Sequence, residues 1–398
     1  MHELALVLNS GSSSLKFAVF RVQRAGDWPL LLRGNLEGIG TAPKMSARDG
    51  GGASMTTPAP PAGVRDAGGA LEHVIGWLGT RFSGAGLFGV GHRVVHGGAR
   101  HHVPALVSAE LLEELRELIP FAPLHQPYNL AAIEAVMQRR PDVRQVACFD
   151  TAFHHTLPAL ARLVPLPGEL RQGGLQRYGF HGLSYEYIAG VLPEVAPQIA
   201  GGRIIVAHLG SGASLCAVRE GRSIETTMSF TALDGLCMGT RPGSIDPGVV
   251  LYLFQGLGLS VKEVEALLYK KSGLLGISGI SNDMRDLEQS GEARAREAVD
   301  YFVYRVAQEI GALAASLGGL DALVFTAGIG ENSASVRRRI CEASAWLGIK
   351  LDPAANERGA SCISASGSAV SAWRIPTNEE LMIARHTGRL LSSAAARA

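Results

Sequence analysis

A match of the chain to itself at half its length constrains the fold more than any other feature. Shifted by 199 residues, "VLNSGSSSLKFAV" (7–19) lies on "VAHLGSGASLCAV" (206–218). Val7/Val206, Gly11/Gly210, Ser12/Ser211, Ala18/Ala217 and Val19/Val218 are identical, without a gap. Both segments read as apolar strand, polar glycine turn, apolar strand. Five identities in thirteen small or apolar residues leave chance and duplication both open, but the offset is half of the 398 residues. A duplicated domain would place two such turns facing each other across a cleft.

The rest of the chain alternates strand-length apolar runs (4–8, 15–22, 87–95, 143–149, 203–209, 215–218, 322–326) with helically spaced stretches (109–118, 130–139, 247–255, 261–269, 293–317, 334–347). That alternation predicts α/β layers, and the length predicts two domains rather than one core. The Gly/Pro/Ala-rich stretch 41–69 is expected to be a surface loop without chemistry.

Charge narrows the partners. With 37 basic and 36 acidic side chains, net +1, no nucleic-acid footprint and no polybasic membrane surface is expected. Five scattered cysteines without a C-x-x-C pair suit a reducing cytosol, and Cys148 and Cys216 read as small buried hydrophobes. The apolar start is broken at 9–14, and no window approaches the roughly 18 apolar residues of a membrane span. A cytoplasmic enzyme with no membrane partner is the expectation.

Buried hydroxyls need partners, so the turn Asn9–Ser14 with Lys16 beyond it is either an ordinary hairpin turn or a cradle for an acceptor-rich ligand such as a phosphate chain. A third glycine segment comes after the run at 322–326: Gly328-Ile329-Gly330-Glu331-Asn332, then a helix near Ser333. Such a layout offers backbone N–H groups to an anion. It lacks the third glycine of a dinucleotide fingerprint, and the chain holds no G-K-[S/T]. Arg93 sits in a β-branched run and Arg241 between glycines and prolines; their forks suit carboxylate or phosphate oxygens. His92 and His96 have a helical metal spacing in a context that reads as strand and turn, which disfavours zinc. Asp150 ends an apolar strand, where α/β folds bind ligands, or serves as an N-cap for the adjoining segment. His181 reads as structural or catalytic, and Glu379–Glu380 as a helix start capped by Thr377 or Asn378, or as metal ligands.

Taken together, "NSGSSSLKF", "GHRVVHGG", "APLHQPYN", "FDTAFH", "YGFHGLS", "AHLGSGAS", "MGTRPGSIDPG", "ISNDMRD", "FTAGIGENS" and "IPTNEEL" resemble the acetate kinase family of the sugar kinase/Hsp70/actin superfamily, in the family's order from residue 9 to residue 381. The resemblance implies an α/β fold of duplicated ribonuclease H-like (ββαβα) domains with a cleft between them. It sets an N-terminal domain over 1–150, a nucleotide-binding domain over 151–379, and a helix over 380–398 that packs on the first. It implies reversible phosphoryl transfer from ATP to acetate, giving acetyl phosphate and ADP, with Mg²⁺ (Mn²⁺ as a substitute), in a homodimer.

Residue by residue, the resemblance gives Asn9 and Glu379 to magnesium, and Ser12, Ser14 and Lys16 to the ATP phosphates. It gives Arg93 to the acetate carboxylate. Arg241 and His181 stabilise the charge in transit, and Asp150 is the catalytic carboxylate. His208, Leu209, Gly210, Ser211 and Gly212 form a second phosphate turn. Asp283, Met284 and Arg285 with Gly328, Ile329, Gly330, Glu331 and Asn332 lie on the adenosine side. Val95, Leu124, Phe180 and Ala232 wall the acyl pocket.

Phosphoryl transfer needs alignment and charge neutralisation more than covalent help. A carboxylate acceptor is already ionised at neutral pH, so Asp150 reads as an orienter of Arg93, Arg241 or magnesium-bound water; an aspartyl-phosphate is the competing idea. Four positions depart from the family pattern: Ser211 stands where Asn is usual, removing an amide donor, Pro242 and Ser244 depart from the commoner Ser-Gly-Asp after Arg241, and Ala232 stands where Pro is usual. The smaller wall would admit one more methylene, worth roughly 1–3 kcal/mol, so propionate is the alternative substrate.

Overall fold

A computed structural model describes residues 3–23, 28–61 and 63–395. The chain divides into two compact units, 1–152 with 378–398, and 153–377. Residues 396–398 of the expected C-terminal helix lie outside the described residues.

The first unit is built on a sheet of β1 (Glu3–Ser10), β2 (Ser14–Arg21), β3 (Leu30–Glu37), β4 (Lys44–Asp49), β5 (Ser54–Met55), β6 (Gly86–Val94), β7 (Ala105–Leu106) and β8 (Gln145–Phe149), in the order β5-β4-β3-β2-β1-β6-β8-β7. The second holds β9 (Arg203–Leu209), β10 (Ala213–Arg219), β11 (Arg222–Thr226), β12 (Ala322–Thr326) and β13 (Ser371–Arg374), in the order β11-β10-β9-β12-β13. The run β3-β2-β1-β6-β8 repeats this order and these directions: an antiparallel three-strand meander, then two parallel strands. The fold is a duplicated α/β core.

The ungapped self-match does not carry through the register. Ser10 faces Leu15 in the first hairpin, whereas Leu209 faces Ala213 in the second. The second turn is one residue shorter, so Ala18/Ala217 and Val19/Val218 are not equivalent once Val7/Val206 is aligned. The Gly and Ser of the turns are what the two halves share.

β8 and β12 are buried at every position, as strands covered on both faces must be. On β6, the helix Glu379–Ala395 sits where side chains are missing. A Cβ at Gly89 would stand 2.2 Å from Leu391 Cδ1, and one at Gly91 2.3 Å from Thr387 Oγ1. Asn378 Oδ1 caps that helix by accepting from Leu381 N at 3.1 Å. The opposite face of the sheet buries Leu6, Leu8, Phe17 and Leu32 against Leu71 and Val74 of the helix Ala67–Arg81.

Three local expectations are corrected. The 41–69 loop contains the β4–β5 hairpin, because Ala47 supplies a buried position while Gly50–Gly52 make the turn. The helix over 334–347 stops at Ala343 and continues as a single 3₁₀ turn, Ala345–Leu347. Residues Ala327–Asn332 are themselves a short helix rather than an open turn, entered through Ala327 at φ +63. Cys148 and Cys216 are buried, as the apolar context suggested.

His92 lies on a strand, its Nε2 2.7 Å from Gln145 Oε1. Burial lowers the pKa of His92, His96 and His154 to about 4 in each case. In the unfolded chain these rings bind protons near pH 6.5, so the folded state binds fewer protons between about pH 6.5 and 4. Stability present above that window is therefore withdrawn as pH falls through it. The three rings together withdraw several kcal/mol from pH 7 to 4.5, at about 1.4 kcal/mol per unit and group, opposed in urea unfolding of the wild type by carboxyls that burial raises. His154→Gln should show a shallower pH dependence; an unchanged slope would remove His154 from the account.

Candidate active site

In the first unit four polar side chains gather at the strand ends. Arg93 lies near the end of β6, beside Cys148 of β8 in the parallel register. Asp150 comes directly after β8, and its N–H donates to Val94 O at 3.0 Å. That register brings the two side chains together: Arg93 Nη2 donates to Asp150 Oδ2, whose residue is 1% exposed. Arg93 Nη1 donates to Asn9 Oδ1 at 3.3 Å, and Glu379 Oε2 stands 4.0 Å from Arg93 Nε. Arg93 Nε and Asp150 Oδ1 are buried without a hydrogen-bond partner. A charged pair that leaves one donor and one acceptor unsatisfied is a costly arrangement for stability alone.

The charges lean on one another. Burial pushes the Asp150 carboxyl above its ordinary range, and the Arg93 guanidinium pulls it back. Glu379 is raised to about 7, chiefly by burial, with Asp150 and Glu380 adding to the shift while Arg93 and Lys16 oppose it.

Lys16 stands across the hairpin from Asn9 and is exposed, as is Ser12, while Ser14 is half-buried and its carbonyl closes the turn to Gly11 N at 2.8 Å. The turn is strapped by a residue for which sequence reasoning found no role. Asn129 Nδ2 donates to Ser10 O at 2.6 Å and its Oδ1 accepts from Val95 N at 2.9 Å. Only its place in "APLHQPYN", at the start of a helix, marked it. Ser10 Oγ is a further buried atom without a partner. Val95 is buried and Leu124 half-buried in this unit, whereas Phe180 and Ala232 belong to the other.

In the second unit the corresponding turn, between β9 and β10, is closed by Gly210 N donating to Gly212 O at 3.1 Å. Gly239 N donates to Ser211 O at 3.0 Å, which ties the loop carrying Arg241 to the turn. Arg241 Nη1 donates to Ala232 O at 2.6 Å. A Cβ on Gly212 would stand 2.7 Å from Arg241 Nη2 and 3.2 Å from His181 Nε2. Three of the expected groups therefore converge on one backbone point. His181 caps the helix Gly182–Val195 in the left-handed region at φ 58, a strained setting for a non-glycine residue. Its ring stacks on that of His208, with centroids 4.1 Å apart and planes at 16°.

Beside the turn lies a cavity of about 630 Å³, the size range of small-molecule sites. Gly210, Ser211, Asp283, Met284, Arg285, Gly328, Ile329 and Asn332 line it, together with Asn282, Glu288 and Ser333, which sequence reasoning missed. Arg285 is rim: its side chain is 82% exposed and held by Asp283. Leu209 and Gly330 are buried and do not line the cavity. Glu331 points elsewhere, its Oε1 accepting from Ala327 N at 2.9 Å and Thr377 N at 3.1 Å. It anchors the short helix. Arg337, 2% exposed, donates to Gly330 O and Glu331 O and holds the far end of that helix. Its place at the head of the run Arg337–Arg339 gave no sign of that burial.

Residues 4–385 match the model of the acetokinase family. An acetate kinase of Rhodopseudomonas palustris (strain TIE-1) is 54% identical over 98% of this chain and 99% of its own, and one of Rhizobium meliloti is 51% identical over 98% of each. Among solved structures, a propionate kinase from Francisella tularensis superposes with a TM-score of 0.89 at 38% identity, covering 96% of this chain and 98% of that one. The acetate kinase of Porphyromonas gingivalis superposes at 0.84 and 35% identity, covering 98% and 100%. The duplicated core, the two glycine turns and these likenesses agree: the chain belongs to the acetokinase family.

Proposed function

We propose that this kinase transfers the γ-phosphoryl group of ATP to acetate, reversibly, giving acetyl phosphate and ADP. The observation that carries the reading is the buried Arg93–Asp150 pair with Arg93 Nε left unsatisfied. A small carboxylate supplies the missing acceptor, and the guanidinium fork, already aimed by Asp150 and Asn9, reads its planar geometry. The acceptor arrives ionised, so no base need remove a proton, and Asp150 keeps Arg93 in place.

Arg241 and His181, converging beside Gly212, neutralise charge on the phosphoryl oxygens. Ser12, Ser14, Lys16 and the 208–212 turn hold the phosphates, and the cavity beside Asp283, Met284 and Arg285 takes the nucleoside. The family also implies Mg²⁺, with Mn²⁺ as a substitute. Asn9, Asp150 and Glu379 gather around Arg93 with oxygen donors only, the type magnesium takes, and Asp150 Oδ1 is a buried oxygen without a partner. Among the described residues no three acidic, His or Cys side chains form a metal cage, and magnesium completes its shell with water and phosphate rather than a cage. These residues fit it. Asn9 and Glu379 would hold the ion, which neutralises phosphate charge when bound.

The test is acyl phosphate trapped as the hydroxamate, from Mg-ATP and equal concentrations of formate, acetate, propionate and butyrate. An acetate maximum is expected. A propionate maximum would keep the mechanism and move the acceptor to propionate, with the small Ala232 wall as the cause. No product from any acid would end the kinase reading.

A homodimer fits the helix Pro247–Gln255, which buries none of its residues and exposes Val249, Leu251 and Tyr252 at about half or more of their surface. Sedimentation should give twice the mass of 41.9 kDa for the wild type and a monomer for Leu251→Asp. A monomeric wild type would exclude the dimer. Four of the five cysteines are buried, which fits a reducing cytoplasm.

A further inference from the structure

We infer that Ser214 and Tyr185 are positioning residues that fix the tautomer of His181, so that a neutral imidazole offers Nε2–H to the transferring phosphoryl group while the stacked His208 carries its proton on Nδ1. The inference rests on the phosphoryl-transfer reading above for its purpose, but not for its geometry.

The two histidines have separate hydroxyl partners. His208 Nδ1 lies 2.8 Å from Ser184 Oγ, and Ser184 gives its one hydroxyl proton to Thr377 Oγ1 at 2.9 Å. Ser184 can then only accept, so His208 donates from Nδ1 and, when neutral, has an acceptor at Nε2. His181 Nδ1 lies 2.8 Å from Ser214 Oγ, which is 2.5 Å from the Tyr185 hydroxyl, with either oxygen able to donate in that second bond. Ser214 and Tyr185 are fully buried, so water does not compete for these bonds. Two directions of donation along this chain give His181 opposite tautomers. In one, Tyr185 donates to Ser214 and Ser214 to His181 Nδ1, which leaves Nε2–H. In the other, the direction is reversed and Nε2 is a lone pair.

What Nε2 faces decides between them. His181 Nε2 and Arg241 Nη2 border the same side of Gly212, where an added Cβ would stand 3.2 and 2.7 Å from them. Arg241 can only donate, so a phosphoryl oxygen drawn between these two groups would meet a second donor in the first arrangement and a repelling lone pair in the second. Protonating the ring would also supply Nε2–H. Placing an imidazolium beside Arg241 adds like-charge repulsion, however, whereas the tautomer costs no charge. The hydroxyl chain thus achieves what a pKa shift would otherwise have to achieve.

The test uses the full-length enzyme labelled with ¹⁵N-histidine. At pH 8, long-range ¹H–¹⁵N spectra, with His181 and His208 assigned from His181→Asn and His208→Asn, are expected to show His181 protonated on Nε2 and His208 on Nδ1. Ser214→Ala removes the donor and should lower kcat about tenfold with the KM for ATP unchanged, the size expected for one buried hydrogen bond acting in the transition state. Tyr185→Phe keeps the ring and should lower kcat about threefold, since Ser214 can still turn its proton to the imidazole. His181 protonated on Nδ1 in the wild type would overturn the inference, as would wild-type kcat in both variants. A wild type that makes no acyl phosphate would sink the kinase reading instead, while the spectra would still decide the tautomer.

Discussion

Arg93→Ala is expected to abolish acyl phosphate synthesis and to cost stability at the same time, and the two losses can be separated. Asp150 is 1% exposed and pairs with Arg93. Deleting the guanidinium leaves a buried carboxylate without its counter-ion, a change that costs about 3–5 kcal/mol where buried pairs are broken from one side. Burial already pushes Asp150 upward and Arg93 is what opposes it, so part of that loss would be relieved by protonation of Asp150. Catalysis loses the fork aimed by both Asn9 and Asp150, and kcat/KM for acetate should fall by about 10³-fold or more. Replacing both members, as Arg93→Met with Asp150→Leu, removes the stranded charge; such double replacements are often close to neutral for stability. Urea unfolding of Arg93→Met, Asp150→Leu and the double variant completes the cycle. The expected pattern is stability largely recovered in the double variant and activity absent in all three. Activity within tenfold of wild type in Arg93→Ala would remove Arg93 from the acid-binding role.

Much of this was legible because the signals were local. The strands 4–8 and 203–209 announced themselves as apolar runs, and their glycine turns pointed to a repeat that the strand order of the two sheets bears out. What escaped was set by distant contacts. β3 reads Leu30–Glu37 with Arg33, Gly34 and Asn35 in its middle, a poor strand by composition. Gly34 is there because the Phe17 ring covers it: an added Cβ would meet Phe17 Cζ at 2.3 Å. Tertiary packing overrides local preference at such a position.

The site divided in the same way. Arg93, Asp150, His181 and Arg241 stood out as charged groups in apolar or glycine-rich context. Their supports did not. Asn129, Ser184, Ser214 and Arg337 are ordinary residues on helices and strands whose role exists only through partners far along the chain, such as Asn129 with Ser10 and Ser184 with Thr377. Glu331 shows the converse: it sits inside a quoted motif, yet its carboxylate serves backbone N–H groups of its own unit.

Gly212→Ala is expected to leave the fold intact and remove most of the activity, which separates the second phosphate turn from the scaffold around it. The backbone at Gly212 is outside the left-handed region, so alanine brings no conformational strain of its own. The added Cβ would stand 2.7 Å from Arg241 Nη2, too close to remain, and 3.2 Å from His181 Nε2. Cβ cannot move, whereas the end of a long arginine can. His181 is held by Ser214 and by its stack on His208, so Arg241 yields first and breaks its 2.6 Å bond to Ala232 O. A charged donor displaced from the transferring group costs about 10²-fold in kcat or more, while surface relaxation of one guanidinium costs stability within about 1 kcal/mol. Gly243→Ala is the contrasting case in the same loop. Its φ is +76, and a Cβ there would meet Gly235 O and Leu236 O at 2.4 Å. Backbone cannot swing aside, so that variant should lose several kcal/mol of stability, and its activity should fall only in step with its folded fraction. Steady-state kinetics beside urea unfolding reads both variants. Gly212→Ala with wild-type kcat would mean that Arg241 acts from another position, and Gly212→Ala with a lowered unfolding midpoint would mean that the turn is scaffold after all.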